Sequence, residues 1–172
     1  VHLIKSAGET EAIARSINDS QGVYLVPAFT GLGAPYWDPQ ARGAIFGLTR
    51  DTGLAHIVRA ALESVAYQTR DLLDAMAADS LAPTELRVDG GMVINDWLTQ
   101  FLADALQRCI VTQRFDELTA FGCAALAAKG IGVALKPPRN TSTTFHPKVS
   151  AEQARQWRAS FSDAVTRCRD WR

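Results

Sequence analysis

Between Leu86 and Lys129 the chain alternates strand, helix, strand and helix patterns, and this order constrains the fold more than any other feature. Leu86 to Asp89 reads as a short strand that runs into Gly90–Gly91. Trp97, Leu98, Phe101, Leu102, Ala105 and Leu106 then recur on one face of a helix over 94–107. Cys109 to Gln113 is a second strand, and residues 117–129 are Ala-rich and helical, with Gly122 leaving room for a close neighbour. A β-α-β-α order calls for parallel strands joined by right-handed crossovers, which makes the chain α/β.

The flanking segments are also patterned. Residues 1–17 read as helical, with Ile13, Ala14 and Ile17 as a short apolar stripe. Asn18 to Gly22 is turn chemistry, Val23 to Val26 a β-rich run stopped by Pro27, and Gly43 to Leu48 a second short strand. The loop between those strands carries Gly31, Gly33, Pro35 and Pro39 and is expected to be tight and fixed. Val58, Leu62, Val65, Thr69, Leu72 and Met76 repeat at three- and four-residue spacing, which predicts a long amphipathic helix over 54–79. Pro137 to Thr144 reads as an extended Thr/Ser-rich connector. Ser150 with Gln153 is a capping-box pattern that opens a last helix, whose stripe is Trp157, Phe161, Val165 and Cys168.

Composition excludes some functions. Lys plus Arg and Asp plus Glu number 18 each, so no basic excess exists to hold nucleic acid or an anionic membrane. No apolar run approaches the ~20 residues a bilayer span needs, and no basic-then-apolar leader stands at the start. The chain opens at Val1 rather than Met, as a piece of a longer protein would. Cys109, Cys123 and Cys168 are odd in number and well separated, which fits buried, reduced thiols of a cytosolic protein. His2, His56 and His146 are scattered, with no Cys or carboxylate cluster beside them, so no metal site is expected.

The best chemical candidate is Val88 to Asn95, VDGGMVIN. Glycines at a strand-to-helix turn let a ligand approach the backbone, and a helix start offers unpaired N–H groups. The same residues also serve geometry alone. Gly90–Gly91 turns the chain, Asn95 is a favoured N-cap, and Asp89 is a turn former as readily as a ribose or metal contact. Arg42, Asp38 and Trp37 either reach a cleft or a partner subunit, or close their own loop, with Arg42 pairing Asp38 and with Tyr36 and Trp37 covering a core edge. Glu63, amid apolar positions, is expected to be a buried acid facing Arg59 or Arg70. Thr119 to Ala125 reads as a packing helix and a pivot.

One longer pattern adds to this. Gly43-x-Ile45-x-Gly47-Leu48 is followed, seven residues on, by His56-Ile57-x-x-Ala60-Ala61-Leu62-Glu63, and is preceded by PAFTGLGAPYWDPQARG. Together they resemble the C-terminal signature of the FGGY family of carbohydrate kinases, in the branch that acts on glycerol. The resemblance spans nearly the whole chain and is weakest over the first twenty and last thirty residues. It implies a partial ribonuclease-H-like (actin-like ATPase) domain with short parallel strands and packed helices, its opening antiparallel strands missing. It further implies that 1–172 is part of the C-terminal domain of a two-domain kinase, with an extended segment and helix at 141–172.

In that family the adenosine end of the nucleotide lies against the Gly-Gly turn and an Asn beyond it, so Gly90, Gly91 and Asn95 are implied nucleotide contacts. Met92 stands where a small residue is usual, and Asp96 where Asn is common. The implied activity is ATP-dependent phosphorylation of glycerol with Mg²⁺, and the whole enzyme would be a cytoplasmic homo-oligomer. The catalytic and glycerol-binding groups would lie upstream: no catalytic residue and no metal ligand is matched within this chain, so it should be inactive alone. Two alternatives stay open, a xylulokinase-like sugar or polyol kinase and a non-catalytic nucleotide-binding or oligomerisation module. With the opening strands missing, the sheet should hold only its later, parallel part, have an unprotected edge and self-associate.

Overall fold

The computed structural model describes residues 4–79, 83–114, 117–136 and 141–169. A 3-10 turn at Ala7–Glu9 leads into α1, Thr10–Arg15, shorter than the helix expected over 1–17. Strands β1 (Tyr24–Val26) and β2 (Ala44–Phe46) pair antiparallel with Leu25 opposite Ile45. Helix α2 runs Leu54–Ala78, within a residue of the periodic pattern that predicts it. Then follow β3 (Glu85–Val88), a 3-10 turn at Gly91–Ile94, α3 (Asp96–Leu106), β4 (Cys109–Arg114), α4 (Leu118–Gly130), β5 (Thr141–Phe145) and α5 (Ala151–Arg169).

β3 and β4 are parallel, as the β-α-β order requires, with Leu86 opposite Ile110. The sheet holds more than the expected parallel pair. β5 adds antiparallel to β4 in the order β3-β4-β5, with Ile110 opposite Phe145 and Thr112 opposite Thr143. The polar segment read as a connector is thus, from Thr141, a strand; residues 137–140 lie outside the described set. Its polarity hides the strand, because its partners come from β4's backbone and not from an apolar alternation of its own.

The core forms where α2, α3 and α5 meet β1. Tyr67 of α2 contacts Phe101 of α3 edge-on at 5.7 Å and Phe161 of α5 at 4.9 Å, between ring centres. Phe101 also stacks between Trp97, at 5.3 Å, and Trp157, at 5.1 Å. Ala66, Ala103 and Ala105 are buried beside these rings, so the helices approach closely. Ser150 opens α5 as expected, its Oγ accepting the Gln153 N–H at 3.1 Å.

The Pro27–Gly43 loop is tight. Leu32 N–H donates to Asp38 O at 2.8 Å and Asp38 N–H donates back to Leu32 O at 2.9 Å. Tyr36 packs on the core and donates its hydroxyl to Asp71 Oδ2 at 2.8 Å. Two expectations here fail. Trp37 is 77 % exposed and covers nothing, because a positive φ of 49° turns it outward. Arg42 does not pair Asp38; its Nη1 donates to the carbonyls of Pro39, Gln40 and Ala41, while Asp38 Oδ1 accepts the N–H groups of Gln40 and Ala41. Nor is α4 a packing helix within this chain, for none of its residues is buried.

Candidate functional site

Gly90 and Gly91 follow β3 directly, and their geometry matches what a turn open to a ligand needs. Gly90 has φ 95°, a region that suits glycine, and a Cβ built on either glycine would meet nothing within 4 Å. The turn therefore faces open space. Beyond it Val93 is buried, anchoring the 3-10 turn, while Met92 and Ile94 stand 51 % and 69 % exposed.

Asn95 caps α3. Its Oδ1 accepts the Leu98 N–H at 2.9 Å, which satisfies one of the helix's orphan donors. Its Nδ2 points the other way and donates to Thr10 Oγ1 at 3.4 Å, on α1. The cap reading is thus met by the oxygen, turned into the helix, while the amide is turned across to α1.

These residues border a groove of about 590 Å³. Gly91, Met92, Ile94 and Asn95 form one wall; Ala7, Gly8, Thr10 and Glu11 form the other; Leu62 and Leu98 lie between them. The size and the apolar lining with a few polar groups are those of a small-molecule site. The structure therefore places Gly91 and Asn95 on one groove, with Gly90 at the turn that leads into it. Asp89 is exposed and is not part of the lining. The α1 wall was not legible in the sequence: Ala7 to Glu11 carries no motif, and only the fold brings it opposite residues some eighty positions later. Leu62, periodic on α2, read simply as core.

A buried charge pair holds that wall from behind. Glu63 accepts from Arg59 Nε at 2.9 Å and from Ser20 Oγ at 3.1 Å, so the partner is Arg59 and not Arg70. Arg59 Nη1 donates to Ile17 O at 2.6 Å and Ala14 O at 3.4 Å, gripping the end of α1, and its guanidinium lies 4.9 Å from the Trp97 ring centre. Burial pushes the Glu63 carboxyl above its ordinary range, while Arg59 and then Ser20 pull the other way. Among the described residues no three His, Cys, Asp or Glu side chains converge as a metal site would require.

With this fold and groove in view, the comparisons with known proteins converge. The C-terminal domain of the FGGY family of carbohydrate kinases matches residues 3–131, and the chain belongs to that family. Among curated relatives, a glycerol kinase from Alcanivorax borkumensis is 51 % identical over 97 % of this chain and 35 % of its own length. A glycerol kinase from Rhodospirillum rubrum is 54 % identical over 95 % of this chain and 34 % of its own. A crystal structure of Plasmodium falciparum glycerol kinase with ADP superposes with a TM-score of 0.81 at 30 % identity, over 96 % of this chain and 34 % of that one. Xylulose kinase from Rhodospirillum rubrum superposes with a TM-score of 0.77 at 25 % identity, over 93 % of this chain and 33 % of its own. The chain thus spans about a third of the relatives it matches.

Proposed function

We propose that this chain is part of an ATP-dependent glycerol kinase and supplies one wall of its nucleotide site, with Gly90, Gly91 and Asn95 at the adenosine end. The carrying observation is the open groove at the bare Gly90–Gly91 turn, in a chain that superposes on a glycerol kinase solved with ADP. The apolar lining would take the base, and the Asn95 amide, one N–H of which is given to Thr10 Oγ1, would offer the other to the base or the ribose. Relatives about 50 % identical are glycerol kinases, which favours glycerol over a sugar.

In phosphoryl transfer the protein's work is chiefly positioning and charge stabilisation. This chain's share is positioning: it would bind and orient the nucleotide and keep water from the base. Among the described residues no donor set fits a caged Mg²⁺, so we assign the metal to the nucleotide phosphates and to residues of the whole enzyme. The base for the substrate hydroxyl and the glycerol contacts are likewise assigned outside this chain, which should be inactive alone. The three free thiols suit the reducing cytosol, and a homo-oligomer is the proposed assembly.

Calorimetric titration of ADP into the chain tests this. Gly91→Val adds a side chain where nothing lies within 4 Å, so the fold should tolerate it while the groove fills. We expect measurable ADP binding by the parent chain and its loss in Gly91→Val, at unchanged thermal midpoint. Equal binding by both would overturn the assignment.

A further inference from the structure

At the far end of the sheet from the glycine turn, the β4–β5 register brings a thiol and an imidazole together. Ile110 lies opposite Phe145, so Cys109 and His146, one step on, stand side by side where the ladder ends. Cys109 Sγ and His146 Nδ1 are 3.1 Å apart at the surface. The loop carrying the imidazole is fixed: Gln100 Nε2 donates to His146 O at 2.8 Å, and the buried Asp104 accepts the Lys148 N–H at 2.6 Å. The other thiols lack this arrangement. Cys168 is buried in the core, and burial raises its pKa. Cys123, expected to be buried, is instead exposed, because α4 packs none of its residues into the core, and it has no hydrogen-bond partner among the described residues. The groove at the Gly90–Gly91 turn includes neither Cys109 nor His146.

We propose that Cys109 with His146 is a thiol-exchange site that takes small-molecule disulfides of the glutathione disulfide class. The thiolate is the attacking species, and an adjacent imidazole both takes the thiol proton and returns it. In the step, the Cys109 Sγ–S bond forms as the disulfide S–S bond breaks. The thiol proton passes to His146 Nδ1 and then to the departing sulfur, which leaves as a thiol. Cys109 is oxidised to a mixed disulfide and half of the reagent is reduced; a second thiol reverses the step with the same balance. The fixed loop serves this chemistry by keeping the His146 backbone beside the start of β4, so that the imidazole stays within reach of the sulfur.

The test is the rate of modification of the intact, folded chain by glutathione disulfide and by a chromogenic aromatic disulfide, with mass spectrometry locating each adduct. Cys109 should react first, Cys123 more slowly, and Cys168 only on unfolding. Cys109→Ser should abolish the fast phase. His146→Gln should slow modification of Cys109 by about tenfold or more and leave the Cys123 rate unchanged, with Cys168 still unreactive as the report of an intact fold. Equal rates at Cys109 and Cys123 in the parent, or a Cys109 rate that ignores His146→Gln, would overturn the proposal.

Discussion

Two glycines with positive φ have opposite surroundings. Gly47 has φ 79° and a Cβ there would sit 2.0 Å from Gly22 O, where β2 ends against the turn before β1. Gly90 has φ 95° and open space. Gly47→Ala should therefore destabilise by more than about 2 kcal/mol, because strain and collision add, and Gly90→Ala by about 1–2 kcal/mol from the left-handed backbone alone. Chemical denaturation of both variants measures the difference, and equal losses would contradict it. Glu63 supplies a pH dependence at the same scale. Its carboxyl is raised chiefly by burial, so the native state holds that proton more tightly than the unfolded chain does. The group's contribution is full below the ordinary carboxylate range and is lost as pH rises through the raised value. The parent should thus gain thermal stability relative to Glu63→Gln as pH falls from neutral into that range; a constant gap between their melting temperatures would refute the sign.

At the scale of elements, α5 stands on one cap and two aromatic anchors, Trp157 and Phe161. Ser150→Ala removes the acceptor for Gln153 N–H and should lower stability by about 1 kcal/mol, with Ser150→Asp recovering it. Paired thermal melts check both, and an Asp variant no better than Ala would remove the cap from the account. Both the cap and α2 were legible in the sequence, because each is encoded within a few residues or in a period repeated over many turns. The parallel β3–β4 pair was legible from element order, and the Gly-Gly turn from its two bare residues. β5 was not, since TSTTF has no apolar alternation and its partners are backbone atoms about thirty positions away. Asn95 shows the limit most clearly: the sequence offers cap or ligand contact, and only the fold, by placing Thr10 across from it, turns the two ends of one amide to two tasks.

The molecule as a whole presents apolar surface that its own packing does not cover. Leu126 and Ile131, on and just after α4, are 73 % and 80 % exposed, and β3 and β5 each pair on one side only among the described residues. Such faces favour association. Sedimentation velocity should show concentration-dependent self-association, reduced when Leu126 and Ile131 are both changed to Glu; a single monomeric species at all concentrations would contradict this. The grip of Arg59 on α1 also reaches further than the ion pair it belongs to. Its guanidinium fastens the carbonyls of Ala14 and Ile17, and the helix so fastened carries one wall of the groove. The opening in front is therefore calibrated from the rear, and a residue with no path to any occupant can still govern how widely the vice is set.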